Sequence, residues 1–469
     1  MSGGSIIEKY CRKSLKAGTE SVFIAAQTYG FCYEVYSICL AAIKRFLDLC
    51  KFFIRMNFIN KPIEVMSPVG SYEALSAAIK AGADSIYFGI EQLNMRARSS
   101  INFSLEDLEK ISKICHENGL KSYITLNTII YDHDVKLMRS IVDTAKQSGI
   151  DAIIASDHSV MGYAKKVGMP VHISTQANVS NIETVEFYST FADVVVLARE
   201  LSLQQVEKIA GEIQKRDIRG PSGDLIRIEV FAHGALCMAV SGKCYLSLHS
   251  HFSSANRGAC IQNCRRSYIV KEKEEGTEFE IDNEYIMSAK DLCTIDFLDK
   301  VLAAGVRVLK IEGRGRSADY VYTTTRSYRE AADSIAEGTY TTERISAWRE
   351  ALATVFNRGF WDGYYLGRKM GEWSEVYGSK ASKRKVFLGR GIKYFKKIKV
   401  AEFLMETRSL KKGDEILITG PTTGVINARA EELRVDDQVV DEVKKGQNFS
   451  MMVDEMIRPS DRLYKLLPA

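Results

Sequence analysis

IEVMSPVGSYEALSAAIKAGADSIYFGI, residues 63–90, decides the fold. It opens on a short apolar run, IEVMSP (63–68), and closes on another, SIYFGI (85–90), with room for one helix between them. Strand, helix and strand in fewer than thirty residues is a parallel βαβ unit, because parallel neighbours need a crossover. The same alternation continues outward. Further apolar, β-branched runs follow at KSYITLN (121–127), DAIIASD (151–157), PVHIST (170–175), DVVVLA (193–198), RIEVFAHG (227–234) and VRVLKIEG (306–313). Helical patterns between them stop at Gly119 and Gly149, and another precedes Gly220, as expected where a helix ends in a left-handed residue. Eight strands, seven of them on short crossovers, predict an α/β fold of the (β/α)8 TIM-like barrel type. An open doubly wound sheet would carry a glycine-rich phosphate turn after an early strand, and the first turn here is Ser67-Pro68-Val69-Gly70.

The rest of the chain is organised around that barrel. At 469 residues it exceeds one barrel, and its 46% hydrophobic and 26% charged content is that of a globular protein with a sizeable core. We divide it into an N-terminal extension (1–55), a barrel (56–340) with an insertion at 235–304 between the seventh and eighth strands, a basic linker (341–384) and a C-terminal all-β barrel (385–469). Residues 22–43 of the extension are apolar but broken by Glu34 and several hydroxyl groups, so a stable membrane association is not expected. With no signal-peptide cleavage pattern either, the expected location is cytoplasmic. An upstream start codon is the favoured origin of the extension, ahead of a weak anchor or a packing helix. The net charge of +5 is too small to indicate nucleic-acid binding by itself. From Arg358 to Lys399, however, twelve Lys or Arg face three acids and are interleaved with Phe360, Trp361, Tyr364, Tyr365 and Tyr394. Beside a small β-barrel, such a strip favours RNA over a merely solvated linker.

Of ten cysteines, four fall within 28 residues as C-x(6)-C-x(15)-C-x(3)-C: Cys237, Cys244, Cys260 and Cys264, with Gly234, Gly242 and Gly258 close by. A disulfide scaffold would be short and secreted. Clustered thiols in a long chain instead point to a soft metal group, either zinc or an iron–sulfur cluster. Structural zinc usually takes paired knuckles with two residues between cysteines; the wide, uneven gaps here suit a cluster better, although His249 and His251 could serve a zinc version. The insertion follows a barrel strand and so belongs at the catalytic face. Other strand ends bring candidate polar groups to that mouth. Asn127, Gln176 and His233 are candidates for catalysis, and Arg96, Glu312, Arg314 and Arg316 for binding a small carboxylate or phosphate. Neighbouring Asn94, Thr125, Asp157, His158, Thr175, Asn178, Arg199 and Glu200 join them, with helix capping as the competing role for several. Neither an HExxH zinc motif nor a GxSxG nucleophile elbow occurs.

The run from Glu229 through Cys237 to Ser247 (EVFAHGALC…GKCYLS) resembles the signature of the collagenase-like peptidase family U-32. So do the opening stretch from Ile63 and the segments LNMRA, STQANV, NRGACIQNCR and KIEGR. The likeness runs from about Ile63 to the C-terminus, and the segment before Met56 has no counterpart in it. Several members of that family are understood as oxygen-independent hydroxylases whose four cysteines hold a 4Fe-4S cluster. The resemblance therefore implies such a cluster on Cys237, Cys244, Cys260 and Cys264. The length and β-rich tail are most similar to the branch that hydroxylates the tRNA wobble uridine at carbon five and depends on prephenate. That branch implies an iron–sulfur tRNA hydroxylase with tRNA as partner. The alternative is a collagenase-like peptidase, the activity from which the family takes its name.

Overall fold

The computed structural model describes residues 63–98, 102–271, 274, 278–279, 287–367, 371–376 and 378–469. The N-terminal extension, including the apolar run 22–43, lies outside the described residues. The barrel strands are β1 (Glu64–Pro68), β2 (Ser85–Phe88), β3 (Lys121–Leu126), β4 (Ala152–Ala155), β5 (Val171–Ile173), β6 (Val194–Val196), β7 (Arg227–Ala235) and β8 (Val306–Ile311). Helices α1 (Tyr72–Lys80), α2 (Asp107–Glu117), α3 (Val135–Gln147), α4 (His158–Val167), α5 (Ile182–Ser189), α6 (Leu203–Lys215) and α7 (Leu298–Ala303) alternate with them, and α8 (Ala318–Ala336) follows β8. Each strand pairs in parallel with the next, and β8 pairs with both β7 and β1, which closes the barrel.

The strands read as continuous apolar runs because both of their faces are covered. Alternate residues fill two cores. Met66, Tyr87, Tyr123, Ile154, Val194 and Val308 pack inside the bore. Val65, Ile86, Ile124, Ile153 and Leu309 pack outward against the helices. Helix ends follow local chemistry. Ser71, Asn181 and Ser202 cap α1, α5 and α6 through their side chains, Ser202 within a capping box with Gln205. Past α6 the left-handed turn is made by Asp217, at φ +54°, and not by Gly220; aspartate tolerates that region through local hydrogen bonding.

Two boundaries differ from the sequence reading. The insertion ends earlier than residue 304: Asp291–Cys293 is a strand antiparallel to the end of β7, and α7 belongs to the barrel. The segment expected as a basic linker is folded. It forms helix α9 (Thr342–Thr354) and the strand Phe360–Trp361, which extends the barrel sheet next to Asp291–Cys293. Counting charges missed its buried apolar residues, among them Trp348, Leu352, Trp361 and Tyr365.

The C-terminal domain is all-β. Its long strand Lys383–Phe395 pairs antiparallel with Val400–Met405 and Arg462–Pro468 inside an eight-stranded sheet, over a core of Leu388, Phe403, Phe449 and Leu463. It docks on α1, where Ser76 Oγ donates to the Pro421 carbonyl at 2.6 Å and Lys80 Nζ to that of Val425 at 3.3 Å. The basic strip divides between these domains. Arg358 turns into the barrel and is buried. Lys380, Lys383, Lys385, Arg390 and Lys399 pair with carboxylates. Lys393, Lys396 and Lys397 stay exposed on the hairpin that carries Tyr394 and Phe395. Arg368 and Lys369 lie outside the described residues.

Candidate active site

The C-terminal ends of the barrel strands open into a cavity of about 270 Å³, roofed by the insertion. That roof is tied down at named points. Arg257 makes a two-pronged ion pair with Asp134 (2.6 and 3.2 Å) and donates to the Ile129 carbonyl at 2.6 Å, fixing the insertion to the loop after β3. Arg265 donates to the carbonyls of Leu236 and Ala289, both at 2.6 Å, so it joins the Cys264 end of the insertion to the residue before Cys237. Two glycines allow the close approach. Gly258 (φ +81°) lies so near the loop after β2 that a Cβ would sit 2.3 Å from the Asn94 carbonyl oxygen, and at Gly242 (φ +74°) it would sit 2.5 Å from Gln176 Oε1. Both the left-handed backbone and the space demand glycine there.

All four clustered cysteines line this cavity. Cys237 is exposed and the other three are half-buried. Burial raises the Cys264 thiol above its ordinary pKa against the pull of Arg265, and the other three thiols each push it further up. Burial likewise raises Cys244, with Cys237 and Cys260 adding to it. The four sulfurs therefore sense one another, and a soft cation that binds thiolates would relieve that repulsion. Among the described residues, no three His, Cys, Asp or Glu side chains converge closely enough to clasp a single metal ion. Four thiols are the donor chemistry that an iron–sulfur cluster takes, and zinc accepts the same donors.

The remaining walls are strongly cationic. Arg96, Arg199, Arg265, Lys310, Arg314, Arg316 and Arg358 all line the cavity, against the single carboxylate of Glu312. Burial would raise Glu312, but Arg96, Arg316, Arg199 and Arg314 together hold it below the ordinary carboxylate value. Arg96 reaches it directly at 3.1 Å. Arg314 is buried and held by Asn94 Oδ1 (3.1 Å) and Thr125 Oγ1 (2.7 Å), and burial lowers its pKa to about 10. Arg316 lies over the Phe356 ring, 3.5 Å from its centroid. Lys310 and Arg358 have carboxylates of their own, Glu229 and Asp291, but Glu312 cannot neutralise the other five guanidinium groups in a desolvated cleft, so the cavity is suited to an anion.

The sequence profile of Peptidase family U32 matches residues 70–375, the whole stretch that builds this cavity. The chain belongs to that family. A protein from Porphyromonas gingivalis named Collagenase is 61% identical over 402 residues, covering 86% of this chain and 97% of its own. More distant U32 relatives carry RNA names. The tRNA hydroxylation protein P1 of Bacillus subtilis is 29% identical over 371 residues (77% of this chain, 85% of its own), and the tRNA hydroxylation protein P of Escherichia coli is 31% identical over 376 residues (70% and 80%).

Within this U32 barrel the predicted site residues separate into two groups. Arg96, Asn127, Gln176, Glu312, Arg314, Arg316 and the four thiols meet at the cavity. Asn127 accepts from the Met95 amide at 3.2 Å and donates to Ser174 Oγ at 3.3 Å. Gln176 Oε1 is buried without a hydrogen-bond partner. His233 is not brought to the cavity. It is buried among Tyr320, Tyr328 and Phe360, and burial lowers its pKa to about 3, so it sits in the wall as a neutral ring. Asp157 caps α4 through Ser159 and also holds the Ile130 amide, so its role is structural. Sequence reasoning missed Lys310, Arg265 and Arg358 as wall residues. Lys310 was findable, because it stands two residues after Val308 on β8 and so shares the side of the strand that packs into the bore.

Among the described residues, no helix is long and apolar enough to cross a membrane.

Proposed function

We propose that this chain is an RNA-modifying hydroxylase that acts on the wobble uridine of tRNA at carbon five, with prephenate as co-substrate and a 4Fe-4S cluster on Cys237, Cys244, Cys260 and Cys264. The observation that carries this reading is the sharing of one cavity by four thiols and an excess of guanidinium groups. A peptidase has no evident use for that combination. When bound, the cluster supplies redox or Lewis-acid chemistry at the barrel mouth. The chain's own residues do the rest. Arg96, Arg314 and Arg316 take the carboxylates of the small acid, since the guanidinium fork matches them. Asn127 and Gln176 present amide groups to the uracil edge, and the insertion roof excludes water. The base must leave its stack to enter, which is least costly in an anticodon loop that is already single-stranded. Lys393, Lys396 and Lys397, beside Tyr394 and Phe395, offer phosphate and stacking contacts.

The second reading is a peptidase, favoured by the higher identity to the relative named Collagenase. One experiment separates the two. Nucleosides of tRNA are measured by mass spectrometry in a deletion strain complemented with the intact gene or with Cys260→Ala. The hydroxylase reading expects 5-hydroxyuridine derivatives to vanish on deletion and to return only with the intact gene. Unchanged nucleosides, in a strain without a second hydroxylating enzyme, would remove it. Gelatin degradation that survives iron chelation would then put the peptidase first.

A further inference from the structure

One amine in the cavity is placed to react as well as to bind. Lys310 reaches the cavity from β8 with its side chain only 6% exposed. Its Nζ lies 2.7 Å from Oε1 of Glu229, which is completely buried on β7. The ring faces of Tyr87 and Phe231 stand 4.5 and 5.8 Å from the amine. Burial lowers the Lys310 pKa against the pull of Glu229, and Arg314 and Arg199 lower it further. Burial raises Glu229 against the pull of Lys310, and Glu64 adds to the rise. Each shift runs towards the group's uncharged form, against the attraction between the two. The uncharged amine is the state in which lysine attacks carbonyl carbon, and it is reached by desolvation and neighbouring cations.

Two features argue against a purely structural ion pair. Glu229 Oε2 is buried without a hydrogen-bond partner, and the nearest basic group across from it, His172 Nδ1, is 3.9 Å away. A carboxyl group with one oxygen on the amine and one unengaged can pass a proton without breaking a network. Moreover, Lys310 lines a cavity whose guanidinium groups are suited to hold a carboxylate.

We propose that Lys310 forms a reversible Schiff base with the ketone carbon of a small 2-oxo acid whose carboxylate is held by the cavity arginines. Lys310 Nζ adds its lone pair to the carbonyl carbon, and the carbonyl oxygen becomes a hydroxyl as Glu229 relays the proton lost from nitrogen. Loss of that hydroxyl with a second proton from nitrogen releases water and leaves a C=N bond, so no oxidant or reductant is consumed. The inference rests on the small-acid half of the proposed function and is independent of the RNA half.

The test is reductive trapping on the full-length protein. The chain is incubated with pyruvate and sodium cyanoborohydride, and its peptides are then mapped by mass spectrometry. The expected result is an increment equal to pyruvic acid less one oxygen atom on the Lys310 peptide, well above that on any other lysine. Acetone, which lacks the carboxylate, should label that peptide much less, and Glu229→Gln should slow the labelling. No increment on the Lys310 peptide, or labelling spread evenly over surface lysines, overturns the proposal. Mapping the unsubstituted protein makes the result independent of whether Lys310→Arg folds. If trapping fails while tRNA nucleosides still depend on the gene, the lysine chemistry alone is wrong.

Discussion

The two ends of the barrel bore are both polar, but in opposite ways. At the floor, Glu64 accepts from Ser85 Oγ (2.7 Å), Tyr123 OH (2.8 Å) and Arg227 (2.8 Å). Burial would raise its carboxyl, and Arg227, His172 and the two hydroxyls outweigh that and lower it. Both Glu64 oxygens are thereby satisfied, and a satisfied carboxylate fixes a barrel's register without inviting a ligand, although His172 Nδ1 nearby has no hydrogen-bond partner. At the mouth, Glu312 faces several guanidinium groups and Gln176 Oε1 has no partner. Satisfied burial at Glu64 holds the fold, whereas at the mouth the cations outnumber the carboxylates that face them.

Four experiments test that division, from the largest expected effect to the smallest. The first is acid titration. Burial lowers the floor residue His172 to a pKa of about 3, against the pull of Glu64 and with help from Arg227, Lys310 and Lys121. The unfolded chain protonates this ring near pH 6.5, so it binds more protons than the fold between those values. Stability should therefore be full above about pH 6.5 and fall by about 1.4 kcal/mol per pH unit as pH drops towards 3. Thermal unfolding against pH should show a shallower acid slope in His172→Gln. An unchanged slope would mean that His172 is protonated in the fold.

Next, Arg227→Met leaves Glu64 buried beside two hydroxyls only. We expect a loss of about 2–3 kcal/mol, below the usual figure for a broken buried pair because Arg227 is partly in solvent. Chemical denaturation measures it, and a loss of ligand affinity instead of stability would break the floor–mouth distinction. The mouth should behave the other way. Arg316→Met should weaken binding of a small dicarboxylate about tenfold, near 1.4 kcal/mol, with little change in melting temperature. Calorimetry with the acid reads the affinity directly. Smallest is Tyr123→Phe at the floor, which removes one of the donors to Glu64 and should cost about 1 kcal/mol without altering binding.

The sequence revealed the frame more fully than the site. Strand positions, the closing eighth strand and the cysteine-bearing insertion all follow from periodicity and spacing, because a parallel barrel buries both faces of every strand and marks them with unbroken apolar runs. The stretch after Ala336 did not. Its charges suggest a linker, yet Trp348 and Leu352 give α9 a buried face, and Trp361 belongs to a strand added to the sheet. At the site, residue type was a good guide for the arginines, since a guanidinium at a strand end has few other places to go. It failed for His233, because the local sequence does not say which wall of a strand faces a cavity and which faces Tyr328. Lys310 was passed over because a lysine within an apolar strand reads as an ordinary exception until Glu229 is seen opposite it.

The closure of the barrel has a consequence for how the chain is made. β1 pairs with β8 in the register Glu64↔Val308, so its second neighbour is synthesised about 240 residues after it. At ribosomal speeds of about 5–20 residues per second, that delay is on the order of 10–50 s. Every residue of β1 is buried in the finished barrel. Until Val308 emerges, the strand has one unpaired edge, and a bare apolar edge is a template for any other nascent chain that meets it.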